Sequence, residues 1–333
     1  MSTRLLCFTD TGFEVAQRIA SVIGGEVSRC GQTPGLDTWT RAAFAEADAL
    51  VFVGALGIAV RAIAPYVESK AHDPAVVVVD ETGQFAISVL SGHLGGANDL
   101  AHAVAQVIGA TPVITTATDC HGVFAIDSWA RVQGCSIPDT SGITRVSMQL
   151  LHGEEIRLRC PWPIAGEAPH GVTVVSELPV DVVVGCNTVD EQVLLVVPRI
   201  VVAGIGCRKG TPASRIEALY QDVLDEHDIH SCAVRCVASI DLKENEPGLQ
   251  EFCANRHLDL MTYSAQELAA VPGEFSDSAF VASVTGVDSV CDRAAVKSSG
   301  GRLIVSKMSR DGVTVALAEA PFTPDWSWQD VRS

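Results

Sequence analysis

The chain reads as an α/β protein: two layered α/β domains, about 1–120 and 199–320, flank a smaller α+β region at 121–198, with a loose tail at 321–333. Three observations predict this. Short β-branched apolar runs alternate with segments whose apolar residues recur at helical spacing, the pattern of a mainly parallel sheet covered by helices. That alternation weakens between about Val123 and Pro198 and restarts at Arg199. The length of 333 residues, 47% hydrophobic and 19% charged, is enough for two or three globular cores.

In the first region Leu5–Thr9 reads as a strand, and Thr9-Asp10-Thr11-Gly12 turns it into a helix with Phe13, Ala16, Ile19, Ala20 and Ile23 on one face. Glu26–Ser28 is a short strand, Trp39–Ala47 a helix and Ala49–Val53 a buried strand. Gly54-Ala-Leu-Gly57 then opens a helix that carries Arg61 and stops at Pro65. The four-valine run from Val76, Phe85–Leu90 and Pro112–Thr116 are further strands. Ligands on such sheets sit beyond the carboxyl ends of strands. The loops at Asp10, Gly54–Gly57, Asp80–Gly83, Ser91–Gly96 and Asp119 are therefore expected to share one rim.

The middle region holds a helix around Phe124–Val132, then short strands at Ile156–Arg159, Val172–Val175 and Val182–Val184. In the last region Ile200–Ala203 leads into Gly204-Ile-Gly206-Cys-Arg208-Lys209-Gly210, with Thr211 and Pro212 at the head of a helix. Arg235–Ile240, Leu258–Thr262, Phe280–Ser283, Arg302–Val305 and Val313–Ala318 complete the strands.

Composition excludes several classes. A formal net charge of −17 argues against nucleic acid, which lysine and arginine bind through phosphate. No apolar run reaches the roughly 18 residues of a membrane span, and MSTRLLCFTDTG lacks a signal-peptide core, so a cytoplasmic protein is expected. The eleven cysteines are scattered without CxxC spacing, which fits reduced thiols and offers no zinc pattern.

The most informative stretch is Val76–Val107. After two strands it runs Ser91-Gly92-His93-Leu94-Gly95-Gly96 into a helix bearing Asn98, Asp99, Leu100, Val104 and Val107. A glycine-rich strand-to-helix turn leaves outward-facing N–H groups that favour an anionic ligand, and His93 adds a group that titrates near neutral pH. A tight crossover loop whose histidine caps a carbonyl is the competing reading. Gly204-x-Gly206 lacks the third glycine and downstream acid of a dinucleotide loop, leaving an anion-binding or merely tight turn. His227 and His230 suit a solvated helix end, and no Gly-x-Ser-x-Gly elbow is present.

Several blocks resemble the CbiG family, the cobalt-precorrin-5A hydrolases of anaerobic cobalamin biosynthesis: GALGIAVRAIAP (54–65), VVVVDETGQFAISVLSGHLGGANDLA (76–101), TTATD (115–119) and FAIDSWA (124–130). The blocks GIGCRKGT (204–211), SIDLKENEPGL (239–249), TGVDSVCDRAA (285–295) and LIVSKMSRDGVTVALA (303–318) are similar to that family's C-terminal, CobE-like domain. The resemblance implies a flavodoxin-like N-terminal domain and a CobE-like C-terminal one. It also implies a hydrolase that opens the δ-lactone of cobalt-precorrin-5A and releases acetaldehyde to give cobalt-precorrin-5B. Cobalt then arrives inside the substrate, so no cofactor and no protein metal site are expected. Partners are the cobalt-tetrapyrrole and neighbouring corrin-pathway enzymes. On this implication His93 is the proton-transfer group, with Asp99 or Asp119 orienting it. Gly54, Gly57, Arg61, Glu81, Ser91, Gly92, Gly95, Gly96, Asn98, Gly206, Arg208 and Lys209 are the expected substrate-binding residues. The alternatives are a non-catalytic tetrapyrrole-binding or channelling protein and an unrelated flavodoxin-like nucleotide binder.

Overall fold

The structure is a computed structural model that describes residues 2–31, 35–69, 72–189, 192–273, 275 and 289–328. Its first region carries β1 (Thr3–Cys7), α1 (Asp10–Ile23), β2 (Glu26–Arg29), α2 (Leu36–Glu46), β3 (Ala49–Val53), α3 (Leu56–Ile63), β4 (Ala75–Val79), β5 (Phe85–Leu90), α4 (Ala97–Ile108) and β6 (Thr111–Val113). The strands form one sheet in the order β2-β1-β3-β4-β5-β6. Every residue of β3 and β4 is buried, because helices cover both faces of the sheet. Val15, Ile19, Leu100 and Val104 of α1 and α4 pack on Leu5, Val51 and Val77. Trp39 of α2 and Ile63 of α3 pack on Leu6, Phe52 and Val78 from the other side.

Strand direction decides where the loops go. The first four strands are parallel, but β5 runs antiparallel to β4, and β6 is parallel to β5. The reversal is a tight hairpin: the Asp80 carboxylate accepts the N–H groups of Thr82 at 3.0 Å and Phe85 at 2.6 Å, and Gly83 supplies a φ of 72°. Leu90 therefore pairs with Val76, at the start of β4. The expectation of one shared rim is overturned. The Asp10, Gly54–Gly57 and Asp80–Gly83 loops leave one edge of the sheet, while Ser91–Gly96 and Asp119 leave the opposite edge. Across the five residues of β4 that is about 16 Å.

The middle region contains α5 (Ala117–His121), α6 (Ile126–Val132), β7 (Cys135–Ser136), α7 (Ser141–Leu151), β8 (Ile156–Arg159), β9 (Val172–Val174), β10 (Val182–Val184) and β11 (Leu194–Pro198). Its sheet has the order β7-β11-β10-β8-β9, with only β7 antiparallel to its neighbour. Ile126, Trp129, Ile143 and Val146 of α6 and α7 cover Ile156, Leu158, Val182 and Val196. Neither α7 nor β11 was read from the sequence.

The last region comprises β12 (Val201–Cys207), α8 (Ala213–Glu226), β13 (Val234–Ile240), α9 (Pro247–Arg256), β14 (Asp259–Tyr263), α10 (Ala265–Ala269), α11 (Val290–Ser299), β15 (Arg302–Arg310) and β16 (Val313–Glu319). The sheet order is β14-β13-β12-β16-β15. Helices α8 and α9 pack on one face through Ile216, Leu219, Tyr220 and Phe252, and α11 packs on the other through Val290 and Ala294. The strand expected at 280–283 lies outside the described residues.

The tail corrects another expectation. Residues 321–328, expected to be loose, pack on the middle region instead. Trp326 is 8% exposed and stacks on Trp129 with ring centroids 5.8 Å apart. Trp129 Nε1–H donates to the Asp325 carbonyl at 2.6 Å. Two tryptophans in a short segment have more apolar area to bury than the ordering entropy of that segment opposes.

Candidate active site

Between β5 and α4 the chain turns within six residues, and each glycine there has a steric reason. Ser91 takes a left-handed φ of 56° and Gly96 one of 83°. A Cβ on Gly92 would lie 2.8 Å from Asn98 Oδ1, and one on Gly95 would lie 2.4 Å from Ser91 Cβ. The end of the loop bonds back on its start: Gly96 N–H goes to His93 O at 3.0 Å, Ala97 N–H to Ser91 O at 3.1 Å and Asn98 N–H to Gly92 O at 3.0 Å. Of the glycine amides expected to meet an anion, that of Gly96 therefore does not face outward. The turn closes on itself and presents a side chain, His93.

Both ring nitrogens of His93 meet carboxylates. Nε2–H donates to Asp119 Oδ2 at 2.6 Å, and Nδ1–H to Asp127 Oδ1 at 3.1 Å. Thr118 Oγ1 lies 3.3 Å from the same Nε2. Asp119 Oδ2 also accepts the Thr116 hydroxyl and, at 3.1 Å, Asn98 Nδ2. Asn98 is held in turn by the Ser88 hydroxyl, which donates to its Oδ1 at 2.7 Å. The absent Cβ of Gly92 is what lets Asn98 reach into this network.

Exposure is graded across the cluster. The side chains of Asp127, His93 and Asp119 are 9%, 13% and 24% exposed, so Asp119 faces solvent most. Burial opposes charging His93, but hydrogen bonds and Coulomb attraction from Asp119 and Asp127 outweigh it and raise its pKa from 6.5 to about 9. Burial likewise disfavours the Asp119 carboxylate. The bonds from His93, Thr116 and Asn98 overcome that and hold its pKa below the usual carboxylate value. At neutral pH His93 is an imidazolium held between Asp119 and Asp127.

Helix α6 supplies one wall. Asp127 sits in its first turn, with Oδ1 accepting Ser128 N–H at 3.1 Å, and Arg131 one turn later donates from Nε to His93 O at 3.0 Å. Arg131 also pairs with Asp99. Asp99 is thus engaged away from the imidazole, and the two carboxylates on His93 are Asp119 and Asp127. Asp127 was missed by the sequence reading, although it lies in the FAIDSWA block; only its packing against the loop reveals it.

The other expected residues lie elsewhere. Gly54, Gly57, Arg61 and Glu81 are at the opposite edge of the first sheet. Arg61 is exposed and donates to the Gly57 carbonyl at 3.2 Å. Gly206 lies within β12 and Arg208 and Lys209 follow it in the last region, where the loop is closed by an acid from the start of α9. Glu246, 6% exposed, accepts Gly210 N–H at 2.6 Å and pairs with Lys243 at 3.0 Å. That carboxylate occupies a donor an anionic ligand would need. Gly204 serves packing, since a Cβ there would lie 1.9 Å from the Cys291 carbonyl on α11. Among the described residues no group of three or more His, Cys, Asp or Glu side chains is placed to hold a metal ion, and no helix is long and apolar enough to cross a membrane.

The chain is similar to known proteins over most of its length. The family model for cobalamin synthesis G, N-terminal, matches residues 38–119, and that for the cobalamin synthesis G C-terminus matches residues 201–318. The cobalt-precorrin-5A hydrolase of Salmonella typhimurium is 33% identical, over 96% of this chain and 98% of that protein. The cobalt-precorrin-5A hydrolase of Priestia megaterium is 32% identical, over 82% of this chain and 79% of its own. Protein CobE of Sinorhizobium sp is 31% identical over 35% of this chain and 78% of that protein. His93 and Asp119 fall inside the N-terminal match, whereas Asp127 and Arg131 lie in the segment between the two. Related along nearly its whole length, the chain belongs to the cobalamin synthesis G family.

Proposed function

We propose that this chain hydrolyses cobalt-precorrin-5A, opening its δ-lactone and releasing acetaldehyde to give cobalt-precorrin-5B. The observation that carries the reading is the 33% identity to a protein named for that substrate over 96% of the chain. The His93 cluster supplies suitable chemistry. Lactone hydrolysis needs a group that takes a proton from attacking water and returns one to the departing ring oxygen. Asp119, ionised and the most exposed of the three, takes the water proton as the new acyl C–O bond forms. The same proton passes to the ring oxygen as the old acyl C–O bond breaks. The charged His93 beside it keeps Asp119 ionised and offsets the negative charge of the tetrahedral intermediate. Release of the two-carbon fragment as an aldehyde then requires loss of the freed hydroxyl's proton to the same carboxylate as the bond between the fragment and the macrocycle breaks. The electron pair of that bond passes to the macrocycle carbon, which takes up a proton in its place. Cobalt enters chelated by the substrate.

Acetaldehyde release from cobalt-precorrin-5A tests the proposal. His93→Ala and Asp119→Asn should stay folded and bind substrate, with turnover lowered by ~10²–10⁴, the range of a positioned proton-transfer group. Normal turnover by folded His93→Ala removes the cluster from catalysis. Substrate binding by the native protein without any acetaldehyde would favour the non-catalytic tetrapyrrole-binding role.

A further inference from the structure

We infer that Asp127, assisted by Arg131, is the positioning residue of this site: helix α6 fixes His93 with both ring nitrogens protonated, so that Asp119 Oδ1 is left to meet the substrate. The inference rests on the hydrolase reading above and adds a role for residues outside both family-model matches.

Three observations carry it. First, a neutral imidazole has one N–H, and its other nitrogen would turn a lone pair toward a carboxylate oxygen. With Asp119 at 2.6 Å from one nitrogen and Asp127 at 3.1 Å from the other, the doubly protonated ring gives each carboxylate an N–H. Second, α6 grips His93 at two points. Asp127 holds Nδ1, and Arg131, four residues on and so on the same helix face, holds the backbone carbonyl. Arg131 also pairs with Asp99 of α4, tying the helix after the loop to the same wall. Third, the bonds on Asp119 are one-sided. His93, Thr116 and Asn98 all converge on Oδ2, and Oδ1 has no partner among the described residues.

The charged groups facing the ring are thus Asp119 from the start of α5 and Asp127 from α6, with the Arg131 guanidinium on the backbone side. Removing the Asp127 charge leaves Nδ1–H without its acceptor and makes loss of the His93 proton easier. The ring, freed on one side, then no longer pins Asp119 Oδ2.

The test uses the full chain and the Asp127→Asn and Asp127→Glu variants, with acetaldehyde release from cobalt-precorrin-5A followed from pH 6 to 10. Asp127→Asn should lower kcat by about tenfold to hundredfold, within the whole contribution of a proton-transfer group, and leave KM within about twofold. The alkaline limb of its pH–rate profile should move down by about one pH unit or more. Asp127→Glu should restore most of the rate and the limb. A separate readout needs no activity: in ¹⁵N-histidine-labelled protein, with the His93 signal assigned by its loss in His93→Gln, the His93 titration should fall toward its ordinary value in Asp127→Asn. An unmoved titration overturns the inference, as does a rate loss with an unmoved alkaline limb, which marks Asp127 as merely structural. Failure of the underlying hydrolase reading shows up separately, as normal turnover in His93→Ala, and the titration still decides whether Asp127 sets the ring's charge.

Discussion

A histidine whose pKa rises from 6.5 to about 9 stabilises the fold in a definite pH window, and His93→Ala exposes it. The folded pKa lies above the unfolded one, so the contribution is fully present below about pH 6.5. It declines as pH rises and is gone above about pH 9. At about 1.4 kcal/mol per pH unit of displacement, the rise amounts to about 3 kcal/mol. His93 is only 13% exposed, so solvent screening takes little of it. The variant also leaves Asp119 and Asp127 without their shared cation. The assay is chemical unfolding of native and His93→Ala protein at pH 6.0, 7.5 and 9.5. Thiols and tyrosines that titrate in the same range occur in both proteins and cancel in the difference. That difference should be greatest at pH 6.0 and shrink by about 3 kcal/mol by pH 9.5. A difference constant across the three pH values would refute a charged His93.

Two further outcomes test placement. Arg61→Ala should leave KM and kcat within about twofold, because Arg61 lies about 16 Å from the His93 edge; a tenfold rise in KM would put a substrate carboxylate at the opposite rim. Trp326→Ala should destabilise the protein by about 3–5 kcal/mol in circular-dichroism unfolding, since the ring is 8% exposed and packs on Trp129 and Phe124. An unchanged unfolding curve would mean that the tail does not brace α6.

The sequence by itself determined the strand–helix alternation of the first and last regions. It also singled out the Ser91–Gly96 turn and named Asp119, which the structure places on His93. Those signals are local: β-branched runs, helical spacing, and glycines where the backbone crowds itself. They coincide with the blocks that resemble the family, so His93 was singled out twice, once by chemistry and once by likeness. What only the tertiary structure decided is direction and neighbourhood. Strand direction cannot be read from apolar content, and the hairpin at Asp80–Gln84 sends β5 and β6 the other way, parting His93 from Arg61. Asp127 looked like one more acid near a helix start until α6 packed against the loop. Asp99, closer in sequence, proved to pair with Arg131 instead. The tail's tryptophans signalled apolar area but not its destination. The physical reason is common to the last three: a carboxylate or an aromatic ring takes its role from the groups it meets across the fold, and those contacts are set by packing between segments far apart in the chain.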